Sequence, residues 1–191
     1  WYEDHGKELL HLGFSARQAS TFNDSMRFRT RGPVRSGTSA VWALPADTGN
    51  ISGDNQQWLN TELVAVNGSW TFQAEYLTSW VQSASSPTGV PVGTAFFHGG
   101  YAQVFYYLTG EHDEYSRKSA VFERVVPKRN AQPGRGLWPM CGGAWQVGVR
   151  YNYLDLNDDA IRGGVLHDMT AGLNWFLNPN MKLQFNYVVT D

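Results

Sequence analysis

The sequence predicts an all-β chain of antiparallel strands, on three observations. Apolar and polar residues alternate through stretches such as "LLHLGFSARQ" and "MKLQFNYVV", and a period of two marks a strand with unlike faces. Asn67-Gly68 separates two such stretches at the spacing of a tight hairpin. Aromatic residues make up 14% of the 191 residues while charged residues reach only 17%, against about 25% in typical soluble domains. Strands with one aromatic face account for both figures.

Eight strands are expected in order. The first is "LLHLGFSARQ", with Leu10, Leu12, Phe14 and Ala16 opposite His11, Gly13, Ser15 and Arg17. The second is "MRFRTRGPVR", residues 26 to 35, where Arg27, Arg29 and Arg31 share one face and Met26, Phe28 and Thr30 the other. Three aligned guanidiniums repel one another, so that face must meet water or an anion. A loop rich in Gly, Ser, Asp and Asn follows. The third and fourth strands, "WLNTELVAV" and "SWTFQAEYLTSWV", form a hairpin around Asn67-Gly68. A two-residue type I′ turn there pairs Val66 with Ser69, Ala65 with Trp70, Leu63 with Phe72 and Leu59 with Tyr76. One face then collects Leu59, Leu63, Ala65, Trp70, Phe72, Ala74, Tyr76 and Trp80, and the other Asn60, Glu62, Thr71, Gln73 and Glu75.

The fifth strand, "YAQVFYYLTG", has less distinct faces, because Tyr101, Phe105 and Tyr107 share the side of Gln103. Residues 111 to 143 are polar and punctuated by Pro and Gly, and receive no assignment. The sixth strand, "AWQVGVRYNYLD", sets Trp145, Val147, Val149, Tyr151 and Tyr153 against Gln146, Gly148, Arg150 and Asn152. The seventh, "DMTAGLNWFL", sets Met169, Ala171, Leu173, Trp175 and Leu177 against Thr170, Gly172 and Asn174. After the Asn178-Pro179-Asn180 turn, the eighth, "MKLQFNYVV", sets Met181, Leu183, Phe185, Tyr187 and Val189 against Lys182, Gln184 and Asn186. The connections are expected to alternate between short and long. Residues 1–191 read as one domain with no second unit.

No apolar run is long enough for a transmembrane helix, which leaves a transmembrane barrel open because its strands alternate. The single Cys141 excludes an internal disulfide framework and a zinc ligand set. The chain begins at Trp1 without a signal peptide, so it reads as a fragment or as a mature form. A net charge of -2 says little about partners, and no nucleic-acid surface is indicated.

Alternating strands fit a soluble sandwich or a membrane barrel, and three details favour the barrel. Trp70, Tyr76, Trp80, Trp145, Tyr153, Trp175 and Tyr187 lie near strand ends on the apolar faces, where the aromatic girdles of a membrane barrel belong. The opposite faces carry Gly, Asn, Gln, Ser and Thr more than a solvated Lys/Glu mix. The strands run about nine to eleven residues, the length of a tilted spanning strand. An Arg facing lipid at midplane costs about 2–4 kcal/mol. Arg27, Arg29 and Arg31 together would then cost roughly 6–12 kcal/mol, as much as a whole domain's stability. The three are therefore expected to face a wet lumen while Met26 and Phe28 meet lipid. The alternative is that they pair with inward carboxylates such as Glu62 or Glu75.

Several segments resemble the phosphate-selective porin O and P family. They are "LLHLGFS", "RFRTRGP", "DTGNI", "ELVAVNGSWTFQAEY", "YYLTGE", "FERVVP", "GGAWQVGVRYNYLDLND" and "GLNWFLNPNMKLQFNYVVTD", in the family's order and spanning nearly the whole chain. The resemblance implies an antiparallel transmembrane β-barrel in the outer membrane of a Gram-negative-type bacterium. It also implies a homotrimer of sixteen-stranded barrels whose lumen carries an arginine ladder for small anions, phosphate or polyphosphate among them. The Arg-x-Arg-x-Arg run gives that role to Arg27, Arg29 and Arg31. Arg17, Arg150 and Lys182 are inward by alternation alone. Eight strands are half of sixteen, so the chain reads as the C-terminal half of such a barrel, lacking its final strand.

Two further readings are a non-conducting membrane barrel serving as anchor or adhesin, and a soluble sandwich that binds through its aromatic face. An enzyme is not indicated. Histidines 5, 11, 98, 112 and 167 lack ligand spacing. Ser15 lacks the second glycine of a nucleophile elbow, and "DLNDD" lacks the Gly and Glu of a calcium loop. No cofactor is called for.

Overall fold

The computed structural model describes residues 1–3, 6–21, 23–31, 46–132 and 142–191. Seven long strands form its frame: β1 Glu8–Ser20, β2 Asn55–Asn67, β3 Trp70–Ser85, β4 Pro91–Tyr107, β5 Ala144–Asp158, β6 Ile161–Asn178 and β7 Met181–Thr190. Each pairs antiparallel with its neighbours in chain order. All reach the spanning length of about nine to eleven residues. Tyr2–Glu3 adds a two-residue ladder to the free side of β1, and among the described residues the outermost long strands, β1 and β7, do not pair with each other, so the sheet is an open wall.

The expected faces are found on every long strand. The register places Leu12, Leu63, Ala74, Ala102, Tyr151, Met169 and Val189 on one side, and His11, Glu62, Glu75, Tyr101, Asn152 and Asp168 on the other. The first side is called outer here and the second inner. The outer side is bare: Leu12 and Phe14 are 69% exposed, Phe185 61% and Tyr187 73%. Between its aromatic ends, that side carries no Asp, Glu, Lys or Arg among the described residues. A soluble sandwich buries its apolar face against a second sheet, and among the described residues no second sheet covers this face.

Aromatic residues gather at both ends of the outer side. At the end bearing the Gly68 turn, Trp70 packs on Tyr106 and Trp145 stacks on Trp175, with ring centroids 4.5 Å and 4.9 Å apart. At the end bearing the Asp159 turn, Trp80, Phe96, His98, Tyr153 and His167 form a chain of ring contacts. Trp70 and Trp80 are ten residues apart, about 33 Å along the strand. A tilt of 35–45° reduces that to about 25 Å of height, matching the apolar band of a transmembrane barrel.

Three expectations need correction. The stretch from Met26 to Arg35 is not a wall strand: its described part forms only two-residue ladders, Ser25–Met26 with Ile51–Ser52 and Arg29–Thr30 with Ala46–Asp47, and residues 32–35 lie outside the described residues. Asn23 and Asp24 take positive φ values of 57° and 48°, which turns the chain back over the inner side. Met26 and Phe28 therefore do not meet lipid. They pack on a buried inner cluster of Ile51, Val81, Ala95, Phe97, Leu156 and Ile161, with the Phe28 and Phe97 rings 5.0 Å apart.

The hairpin register differs from expectation by two residues. Asn67 pairs with Trp70 and Ala65 with Phe72, so the turn is Gly68-Ser69. Only Gly68 has positive φ, at 55°, as a II′ turn with glycine first requires, whereas a I′ turn needs two such residues. A shift by two keeps every side chain on its face. Lastly, the connections do not alternate. The Asp159 end carries residues 21–54, 86–90 and 159–160, and the Gly68 end 68–69, 108–143 and 179–180, so each end has one long segment.

Candidate pore-lining site

The inner side is polar, and its strands place one polar side chain against another across the ladder. Gln56 donates to Ser79 at 2.9 Å, Asn174 to Gln146 at 2.8 Å, Asn152 to Asp168 at 2.6 Å, and Gln103 to Gln73. Each pairing satisfies groups that water alone would otherwise serve. The surface curves around a trough of about 910 Å³ lined by residues of all strands from β2 to β7. Only a concave wall brings side chains from six strands to one space.

Described parts of both long connections fold onto this side. From the Gly68 end, Asp113 accepts hydrogen bonds from Thr71 at 2.6 Å and from Tyr107 at 2.5 Å, all three buried. Two residues on, the Tyr115 hydroxyl meets His11 Nδ1 at 2.9 Å, and His11 Nε2 lies 3.1 Å from Glu62. From the Asp159 end, the Met26–Arg31 segment lies over β4 and β5. Phe28 packs on Phe97 of the wall, and Phe28, Thr30 and Arg31 line the trough.

The structure places the six expected site residues as follows. Arg27 forms a bidentate ion pair with Asp47, not with Glu62 or Glu75, which serve His11 and Tyr101. Asp47 also accepts the Gly49 N–H at 2.9 Å. The Arg27 guanidinium and this N–H hold the Asp47 carboxyl down at about 2, below the usual carboxylate range, and Asp47 raises Arg27 in turn. Arg29 is opposite Asp47 in the ladder, and Arg31 lines the trough. Both are exposed and make no ion pair among the described residues.

Arg150 projects from the middle of β5. Its guanidinium lies 3.9 Å from the Tyr101 ring centroid, and its Nε donates to Asn152 Oδ1 at 2.7 Å. Arg17 on β1 stands 5.1 Å over Trp58, and Lys182 on β7 stands 5.5 Å over Phe176. Arg31 and Arg150 both line the trough, whereas Arg17 and Lys182 do not. Sequence reasoning missed Asp47, Asp113 and Tyr115, which fix the inward segments. The Asx-type pattern Asp47-Thr48-Gly49 was the one local signal for the first of them. Cys141 and His5 lie outside the described residues.

A wall with one bare apolar face and one polar, arginine-bearing trough narrows the comparison with known proteins to membrane barrels. Residues 2–191 match the family described as phosphate-selective porin O and P. The chain belongs to this family. One relative is an uncharacterized protein of Caulobacter vibrioides, 33% identical over 189 residues, which covers 97% of this chain and 35% of that protein. Another is Porin O of Pseudomonas aeruginosa, 31% identical over 99 residues, covering 47% of this chain and 20% of that protein. The chain therefore spans about a third of the first relative's length, and its matched half about a fifth of the second's.

Proposed function

We propose that this chain forms part of the wall of an outer-membrane porin through which small anions, phosphate among them, diffuse passively. The observation that carries the reading is the two-sided wall. Its outer face is long, apolar and belted with aromatics at the spacing of a bilayer. Its inner face is a polar trough holding Arg31 and Arg150. Lipid covers the first, and water fills the second.

Anion preference then follows from charge placement. Arg27 is neutralised by Asp47, so Arg29 and Arg31 supply the outstanding positive charge of the arginine trio. Low-dielectric walls focus such a field along the lumen and raise the local anion concentration. Two further copies of the protein complete the proposed trimer.

The test is a reversal-potential measurement on the full-length protein in planar bilayers under a potassium chloride gradient. An anion-selective potential is expected, reduced when Arg27, Arg29 and Arg31 are all replaced by Ala. An unchanged potential in that triple variant removes the arginines from the selectivity, and absence of any conductance overturns the porin reading.

A further inference from the structure

We infer that the trough contains a subsite for small organic monoanions bearing one apolar ring, an inference that rests on the inner face being the pore wall. The first observation is an apolar row inside an otherwise polar surface. Leu77, Gly99, Leu154 and Leu166 align in register across β3, β4, β5 and β6, and all four line the trough. Leu77 is 45% exposed although it points inward. Gly99 lets the Leu154 side chain lie across its strand, which keeps the row continuous. A Cβ added there would lie 2.9 Å from Leu154 Cδ1 and 2.9 Å from the Tyr153 carbonyl oxygen. The Phe28 and Phe97 rings, 5.0 Å apart, close the row toward the Asp159 end.

The second observation is a cation beside that row. The next row toward the Gly68 end is Glu75, Tyr101, Asn152 and Asp168, and the Arg150 guanidinium lies over it, 3.9 Å from the Tyr101 ring centroid. Rows on one face are about 7 Å apart, so the guanidinium is one row from the leucines. That is the reach of a benzoate-sized anion with its ring on Leu77 and its carboxylate on Arg150.

The neighbouring carboxylates sharpen the chemistry. Glu75 accepts from the Tyr101 hydroxyl at 2.7 Å and Asp168 from the Asn152 amide at 2.6 Å. Among the described residues neither is ion-paired with Arg150. The guanidinium keeps donors for an incoming anion, while the two carboxylates disfavour a second negative charge. Inorganic anions gain nothing from leucine, and neutral rings gain nothing from the guanidinium. A ring carrying a single carboxylate gains from both.

The experiment uses the full-length protein in planar bilayers, recording chloride current while benzoate, acetate or benzyl alcohol is added. Benzoate is expected to reduce the current at about tenfold lower concentration than acetate, and benzyl alcohol to leave it unchanged at that concentration. Leu77→Asn, with Leu77→Ala as a second variant, brings benzoate to the level of acetate while chloride still flows. Arg150→Gln removes the benzoate effect. Benzoate acting no more strongly than acetate, or equally on wild type and both Leu77 variants, overturns the subsite and leaves the porin reading standing. Wild-type protein that passes no chloride overturns both.

Discussion

A single charge placed on adjacent residues of β4 separates the two faces of the wall. Ala102 points outward and Gln103 inward. Ala102 is in register with Ala74, which is four residues from Trp70 and six from Trp80, or about 13 Å and 20 Å along the strand. It therefore lies near the middle of the apolar band. Arginine at the midplane of a barrel costs about 2–4 kcal/mol and falls to about 0–1 kcal/mol at the interfaces. Ala102→Arg is expected to cost the midplane amount, which lowers the folded-to-unfolded ratio by roughly 30- to 1000-fold. Gln103→Arg enters the wet trough, loses the amide pairing with Gln73, and costs about 1 kcal/mol. Denaturant unfolding of the full-length protein in lipid vesicles, followed by Trp fluorescence, measures both. Equal costs, or a larger cost for Gln103→Arg, would refute the assignment of faces.

Three more predictions follow from the inward segments and the wall. Acid should loosen the contact between Met26–Arg31 and Ala46–Ser52: the Asp47 carboxyl, normally near 3.8, is held at about 2, so its ion pair is fully stabilising above pH 3.8 and lost as pH falls toward 2. Protease cleavage within 23–31 and 46–54 should rise across that window in wild type and be high at neutral pH in Asp47→Asn. Asp113→Ala leaves the buried hydroxyls of Thr71 and Tyr107 without their acceptor, at about 1–3 kcal/mol each; a denaturation midpoint within error of wild type would count against that latch. Gly100→Ala sets a Cβ 2.5 Å from the Glu75 carbonyl oxygen, a backbone clash expected to cost about 1–3 kcal/mol, read as slower refolding into vesicles and a lower midpoint.

The faces of the long strands were legible in the sequence because lipid on one side and water on the other enforce a strict period of two. Where something else covers the inner side, that signal disappears. The first half of β4, Pro91 to Gly100, was not recognised as strand: Ala95 and Phe97 face inward beneath Phe28 while Phe96 faces outward, so both faces are apolar. The start of β6 is similar, with Ile161 and Leu166 buried inside. The arginine run misled in the opposite way. Its alternation is real, but it reflects a segment folded against the wall rather than a strand within it. Asp47, twenty residues from Arg27 in sequence, is brought to it only by the intervening fold. Arg150 was placed inward by alternation alone, and its seat over Tyr101 depended on cross-strand register that the sequence did not supply.

The two aromatic ends of the outer face are not level with the hydrogen-bonding rungs. Crossing from β3 and β4 to β5 and β6, the Trp80–Phe96 pair gives way to Tyr153–His167, whose rung meets Tyr76, four residues lower. At the other margin, Trp145–Trp175 lies two residues beyond the rung of Trp70. Both margins descend in the same direction, by one to two residues per strand, a slope of about 35–55° at ordinary strand spacing. The waterline of the bilayer is thus a diagonal drawn across the ladder. Residues at one depth in the membrane are found on a staircase through the sequence, and spin labels or fluorophores meant to share a depth must be set along it.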